Sequence, residues 1–363
     1  MISVHGYILL SFLLLLMANG MIVCERGVRA PRQKYAMYVW TDGFDKGVSG
    51  CGLSEFLAWD SRGPCFTHTW NTAEKRAWLW NTCNLPGREV SAIFVSDVHH
   101  NLKRAKETGD CSSADISTVR LMLSEGHSQV PNLKIYGLYA VSDLAVSERS
   151  LVQYIVHYND HCARNPNERF DGVAVNNEAY AGIKCKSDAE RTQYLHALAE
   201  ITLEAGKQTN GRLLTHYSMG WHWGICDGAP SDITWRGNTY NANHHMIDIF
   251  DSTDVQVGYI IHPQIADRMR HAGYDHALAA GKPIYTTVYT NRATSLCQTS
   301  FFPDNTCHVH GHSEAAMFER FDDFSNNGIA HALPCIHYFR GIYSAGAHPD
   351  WPSHHSGHSP IIG

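Results

Sequence analysis

An amide and a carboxylate two residues apart, Asn176 and Glu178, close the run Phe170-Asp171-Gly172-Val173-Ala174-Val175-Asn176-Asn177-Glu178. In a strand, successive side chains point to opposite faces. Gly172, Ala174, Asn176 and Glu178 therefore share one face, and Val173, Val175 and Asn177 share the other. The first face passes from no side chain, through a methyl, to an amide and then an acid at the strand's C-terminal end. An acid there offers a proton to a bound molecule, and an amide beside it holds a polar group of that molecule in place. The opposite face, with two β-branched residues, suits packing against a helix. A closed parallel barrel has strands of this kind, filled low down and reactive at the rim.

Such a strand needs neighbours, and the sequence supplies them. Apolar, β-rich runs occur at Tyr35–Thr41, Val90–Ser96, Leu133–Val141, Phe170–Asn176, Arg212–Ser218, Asp254–Ile261, Pro283–Thr290 and Leu333–Arg340. Helical patterns lie between them near Thr72–Thr82, Ala114–Gly126, Glu148–Ala163, Asp188–Lys207, Gln264–Ala280 and Glu314–Asn326. Ser187 and Glu190 have the spacing of a capping box opening the fourth of these helices. Parallel neighbours need helix-sized crossovers, so this alternation predicts a (β/α)8 TIM-type barrel. An open doubly wound sheet is the alternative. Only a short helical pattern, Asn243–Phe250, separates the fifth and sixth strands, and Ser344–Gly363, rich in His, Pro, Gly and Ser, cannot form a last helix.

The C-terminal strand ends gather polar and aromatic residues: Trp40, Asp97, Asp143, His216, Tyr217 and Tyr289, with Trp221 close by. Carboxylates, imidazoles and aromatic rings around one mouth suit a polar ligand with flat apolar faces, and sugars have that character. Each has a plainer reading. An Asp after a strand often caps a helix or forms a turn, and a Tyr or Trp there often plugs the barrel. His216 is equally explained as a satisfied core histidine.

Asp171, Gly172 and Glu178 at the end of the fourth strand resemble the Asp-Gly-x-Asp-x-Asp-x-Glu motif of family 18 glycoside hydrolases. Ala174 and Asn176 stand where that family has its two inner aspartates. The Asn-x-Glu pair is closer to family 85 endo-β-N-acetylglucosaminidases, which also carry Asn two residues before the acid. Near Tyr289 there is no Glu where the large two-carboxylate barrel clan keeps its nucleophile. The resemblance implies substrate-assisted cleavage of N-acetylhexosamine glycans. Glu178 would be the general acid, partly buried among aromatic side chains, and Asn176 would orient the acetamide. Asp97, Asp143, His216, Tyr217, Tyr289, Trp40 and Trp221 would bind substrate.

Tyr7–Met17 is an apolar run broken only by Ser11, and Ala18-Asn19-Gly20 offers small residues for cleavage. A secreted chain with a signal peptide over residues 1–20 is expected, then one barrel domain over 34–343 and a tail over 344–363. The run is too short to span a bilayer, which takes about 20 apolar residues. The 11 cysteines, none in a Cys-x-x-Cys pair, read as a disulfide framework. Cys297–Cys307 and Cys185–Cys226 are the expected bridges, with Cys335 the expected free thiol. A Cys162–Cys185 bridge would place the bottom of one helix against the top of the next strand, which a barrel forbids.

A balance of 29 basic and 35 acidic residues, without charge runs, excludes a nucleic-acid-binding surface of the basic type. No cofactor is expected. Alternating imidazoles in Cys307-His308-Val309-His310-Gly311-His312, with His99-His100 or His244-His245, make a His-ligated metalloenzyme or oxidase one alternative. A solvated loop tied by Cys297–Cys307 is the simpler reading of that segment, and no metal ligand is assigned. The other alternative is a non-catalytic carbohydrate-binding or matrix protein on the same fold.

Overall fold

The computed structural model describes residues 34–40, 70–96, 98–290, 297–301 and 312–337. Eight parallel strands close into a barrel. In chain order they are β1 (Tyr35–Val39), β2 (Val90–Ser96), β3 (Lys134–Val141), β4 (Gly172–Asn177), β5 (Leu214–Gly220), β6 (Ser252–Gln256), β7 (Ile284–Tyr289) and β8 (Leu333–His337). Each pairs with its sequence neighbours, and β8 closes on β1 through Ala36 opposite Cys335 and Met37 opposite Ile336. The expected (β/α)8 architecture is the one observed.

Alternation along the strands divides the core into two layers. Ala36, Tyr38, Ala92, Phe94, Tyr136, Leu138, Ala174 and Cys335 fill the barrel's inside. Val39, Ile93, Val95, Ile135, Val173, Val175 and Val288 belong to the larger layer between strands and helices. Gly172 shows why the lower part of β4 is bare. A Cβ there would lie 2.5 Å from the Tyr136 ring and 2.5 Å from the Leu214 carbonyl oxygen, so the tyrosine occupies that space instead.

The helices follow the sequence patterns with informative exceptions. Ser187 and Glu190 form the full capping box at the start of the helix Asp188–Ala205. The expected helix Glu148–Ala163 is α-helical only over Glu148–His157, then widens into a π turn over Tyr158–Cys162. There Arg120 Nε donates to the Cys162 carbonyl at 2.9 Å, and Cys162 is bonded to Cys111. The expected helix Gln264–Ala280 is two helices, His262–His271 and Tyr274–Ala279. Gly273 between them has φ +98, a left-handed conformation that ends the first helix. The helix His99–Thr108 had no expectation, because it buries only His99, Leu102 and Ala105. Between β5 and β6 the chain folds into an antiparallel hairpin, Asp232–Trp235 with Asn238–Asn241, and the helix Ala242–Ile249.

Cys185 and Cys226 are bridged as expected, and Cys335 is free and buried together with Cys83. Cys162 takes Cys111 rather than Cys185. The expected Cys297–Cys307 bridge and the tail over 344–363 involve residues outside those described. Among the described residues, no helix is long and apolar enough to cross a membrane.

One device recurs at the N-terminal end of the barrel. Asp171, just before β4, accepts hydrogen bonds from the Ile135 amide at 2.9 Å and from Lys134 Nζ at 2.8 Å, and pairs with His127 Nε2 at 2.8 Å. Asp251, just before β6, accepts from the Thr215 amide at 2.8 Å, Thr215 Oγ1 at 2.9 Å and Arg212 Nη1 at 2.8 Å. Each carboxylate thus ties the start of its own strand to the start of the strand before it. Burial works to raise both pKa values, but these hydrogen bonds outweigh it and hold both below the usual carboxylate value. A depressed folded pKa contributes stability that is present above the unfolded value near ~3.9 and is lost as pH falls through the folded one. Asp171→Asn and Asp251→Asn should each destabilise the protein by about 1–3 kcal/mol at pH 7. Urea unfolding should show that deficit shrinking below pH ~4; a deficit independent of pH would remove the electrostatic explanation.

Candidate active site at the barrel mouth

The site rests on a polar column rising along the inner face of β6. Ser252, Asp254 and Gln256 alternate with Thr253 and Val255, so all three point into the barrel. At the base, Ser252 Oγ is 2.8 Å from His216 Nδ1. At mid-height, Asp254 is fully buried. Its carboxylate accepts from Tyr38 OH at 2.6 Å, His216 Nε2 at 2.9 Å, Ser218 Oγ at 3.1 Å and Thr287 Oγ1. Four donors match the roughly four lone-pair directions a carboxylate offers. That saturation is what makes a carboxylate in an apolar barrel tolerable.

Tyr38, Cys335 and His337, close to Asp254, are held neutral. Burial and then the Asp254 charge push the Tyr38 phenol and the Cys335 thiol well above their usual values. Burial lowers His337 to about 4, with Asp254 opposing the shift. The His337 ring sits among Tyr38, Trp40 and Tyr289, with centroids 5.2, 5.4 and 4.8 Å away.

At the top of the column, one side-chain amide joins the rim together. The two N–H bonds of Gln256 Nε2 are shared among three acceptors, Asn176 Oδ1 at 3.0 Å, Ser218 Oγ at 3.1 Å and Glu178 Oε1 at 3.4 Å. The Gln256 carbonyl oxygen accepts from Tyr289 OH at 2.9 Å. Burial, and then the Glu178 and Asp254 charges, push that tyrosine's pKa up, so its hydroxyl stays a donor.

Glu178, Gln256 and Tyr289 face a cleft of about 210 Å³ whose other wall holds Trp221, Trp223 and Arg268. Arg268 lies between two rings, 4.3 Å from the Trp221 centroid and 4.0 Å from that of Tyr259. It also donates to the carbonyls of Val257 and Gly258, which fixes the loop leaving β6. Gly220 admits Trp223: a Cβ there would lie 2.3 Å from the indole nitrogen.

Behind the rim, Asn177 anchors the opposite face of β4. Its Nδ2 donates to the Asp143 carbonyl at 3.0 Å and to Glu148 Oε2 at 3.1 Å. Its Oδ1 accepts from the Ala179 amide at 3.0 Å and Tyr194 OH at 2.9 Å. Glu148 is fully buried, with Oε1 unpartnered. Burial pushes its pKa up to about 8, against the hydrogen bond from Asn177.

Of the residues named from sequence, Asn176, Glu178, Tyr289 and Trp221 come together at this mouth. Trp40 stacks on Tyr38 at 5.6 Å and lies 5.4 Å from His337. His216 lies in the closed interior below, bonded at both ring nitrogens, as a satisfied core histidine would be. Tyr217 faces outward, stacked on Phe250 at 4.9 Å, with its hydroxyl 3.1 Å from the Asn177 carbonyl. Neighbouring strand residues cannot both face the mouth, so the expectation that His216 and Tyr217 share one pocket is corrected. The Asp143 carboxylate accepts from the amide and hydroxyl of Ser147, so it shapes the turn before a helix rather than the cleft. Glu178 is exposed rather than partly buried, because β4 ends at Asn177 and the acid stands above the rim. Asp97 lies outside the described residues.

Sequence reasoning missed Asp254, Gln256 and Arg268. The expected sixth strand began at Asp254, two residues late, which hid the polar alternation of Ser252, Asp254 and Gln256. Among the described residues, the one group of three or more His, Cys, Asp and Glu donors within mutual reach is Cys185, Cys226 and Asp227. The disulfide occupies both of its sulfurs.

No protein-family profile matches the sequence, and no curated protein matches it. Among solved structures, it is similar to a candidate α-L-fucosidase from Bacteroides thetaiotaomicron, with 12% identity, TM-score 0.46, and 76% of this chain and 83% of that one covered. A Cellulomonas fimi endo-β-1,4-mannanase double mutant gives 10% identity and TM-score 0.45 over 87% and 66% of the two chains. A family 18 chitinase from Cycas revoluta in complex with (GlcNAc)3 gives 12% identity and TM-score 0.34 over 55% and 62%. Likeness this distant says nothing about chemistry.

The buried acid behind the rim makes a pH prediction. A folded pKa raised to about 8 means Glu148 contributes stability below its unfolded value, and that contribution is lost as pH rises through about 8. Glu148→Gln should therefore unfold at a temperature less sensitive to pH than the parent between pH 5 and 8. The gap in the variant's favour should widen across that window and level off above it. Parallel melting curves for the two proteins would contradict the assignment.

Proposed function

We propose that the protein is a glycoside hydrolase that cleaves N-acetylhexosamine-containing glycans, with Glu178 as general acid and Asn176 as the group orienting the substrate's acetamide. The observation that carries this reading is the single hydrogen-bonded set in which Gln256 joins Asn176 to Glu178 beside Tyr289, at the C-terminal mouth of a barrel. Side chains two apart on a strand are rooted roughly 6.5–7 Å from one another. That spacing lets Glu178 reach the oxygen leaving the anomeric carbon while Asn176 holds the acetamide of the same sugar.

In the first step the Glu178 carboxyl gives its proton to the leaving oxygen. The anomeric C–O bond breaks as the acetamide oxygen bonds to that carbon. In the second, the Glu178 carboxylate takes a proton from water as the water oxygen bonds to the anomeric carbon and the acetamide oxygen leaves it, which opens the ring intermediate and regenerates the acid. One protein carboxyl group suffices, because the substrate supplies its own nucleophile. Trp221 offers an apolar face for the sugar ring. Secretion is part of the proposal, and the two bridges Cys111–Cys162 and Cys185–Cys226 suit an oxidising compartment.

The exposure of Glu178 favours a second reading, a carbohydrate-binding protein without turnover. The two separate on one panel of chitin oligosaccharides and N-glycans. Hydrolysis is expected, with Glu178→Gln lowering turnover by roughly 10²-fold or more while ligand still quenches tryptophan fluorescence. Asn176→Asp should keep turnover, since either side chain presents an acceptor to the acetamide N–H. Binding without cleavage by the parent protein would favour the second reading. Full turnover with Gln at position 178 would sink the first.

A further inference from the structure

On the outer surface, away from the mouth, a cavity of about 380 Å³ lies where the helices His99–Thr108, Glu148–His157 and Asp188–Ala205 meet. His157 and His161 both line it. Their ring centroids are 4.6 Å apart, with planes tilted by 45°. The Nε2 of His157 is buried and has no hydrogen-bond partner. A buried imidazole nitrogen without a partner leaves either a lone pair or an N–H unsatisfied, at a cost of about 1–3 kcal/mol.

The chain's local geometry creates this pairing. Two histidines at i and i+4 on a helix lie on one face, the spacing that presents two imidazoles to one ion. Here the second falls in the π turn Tyr158–Cys162, and the Cys111–Cys162 bridge with the Arg120 bond to Cys162 fixes that turn from below. Single π turns of this kind occur often at functional sites.

The surrounding charges balance. Lys106 and Lys207 supply two positive groups to the wall, and Asp160 and Glu204 supply two negative ones. Lys207 is paired with Glu204 at 2.7 Å, and Asp160 accepts from the Thr209 amide and hydroxyl. An arriving cation therefore meets no net repulsion. A phosphate-like anion would need His157 protonated in a half-buried position, against the usual imidazole pKa of ~6.5.

We propose that His157 and His161 bind a divalent late transition metal ion, Zn²⁺, Cu²⁺ or Ni²⁺, on the helical surface. Neutral imidazole suits these ions, and affinity within the set should peak at Cu²⁺. No third donor among the described residues lies close enough to both histidines to complete a three-residue group, so water fills the other positions. This pair is not one of those the sequence singled out, and it is independent of the hydrolase reading.

Full-length protein without a histidine tag, stripped with chelator, is titrated calorimetrically with Cu²⁺, Ni²⁺ and Zn²⁺. His161 is exposed, so His161→Gln should fold normally; His157→Gln serves as the second variant. The parent should show a binding event and a metal-dependent rise in melting temperature. In each variant affinity should fall by more than the about 10–100-fold lost when only an outer-shell partner is removed. Histidine proton resonances should identify His157 and His161 as those that shift first. Parent and variants with the same stoichiometry and affinity, or a parent that binds none of the three ions, would overturn the proposal.

Discussion

A carboxylate at the centre of the barrel sets the terms for everything above it. Asp254 reaches Tyr38 on β1, His216 and Ser218 on β5, and Thr287 on β7, so one side chain links strands across the closed interior. Buried polar groups stripped of partners cost about 1–3 kcal/mol each, so a network this connected is gained or lost largely as a unit. Its direction matters as much as its strength. Ser218 donates its only hydrogen to Asp254, which leaves its oxygen to accept from Gln256. The amide of Gln256 is thereby oriented with nitrogen toward Asn176 and Glu178 and oxygen toward Tyr289. The geometry of the mouth is inherited from a residue that never reaches it.

β4 is held from both faces at the end where function is proposed. Inside, Asn176 accepts from Gln256; outside, Asn177 is fastened to Glu148, Tyr194 and the Asp143 and Ala179 backbones. Sites on rigid elements locate their groups more precisely than sites on loops. Glu178 is the exception. It sits one residue beyond the strand, with its amide donating to the Val141 carbonyl, but its carboxylate is exposed and accepts a long bond of 3.4 Å from Gln256, which leaves the side chain the freedom that the proposed acid needs to meet a ligand.

The sequence made β4 legible because its two faces differ in kind, with small and polar residues inward and Val173 and Val175 outward. The same rule puts His216 and Tyr217 on opposite faces of β5. β6 was harder to see. Its inner face is polar from Ser252 to Gln256, which contradicts the apolar run that marks a barrel strand, and the apolar residues that follow, Val257 and Ile260, pulled the expected boundary toward the C-terminus. Arg268 could not have been found by pattern. Its role depends on Trp221 and Tyr259 arriving on either side of it, and neither is near it in sequence. The Asp171 and Asp251 ties were hidden for a related reason, since each looks like an ordinary turn aspartate until the adjacent strand is in place.

The guanidinium stacked on Trp221 has a bearing on what the cleft will accept. An indole has two faces, and one of these is already occupied by Arg268. At most one remains for a ligand, so the ring is a platform rather than a jaw. A positive charge under a π system also draws down the negative potential that makes aromatic faces attractive to cations. Quaternary amines and protonated aminosugars should therefore find this surface poorer than a bare tryptophan. Neutral rings presenting C–H bonds lose little by comparison. On the proposed reading, discrimination between a sugar and its charged amino analogue begins at this ring, before any hydrogen bond to the ligand forms.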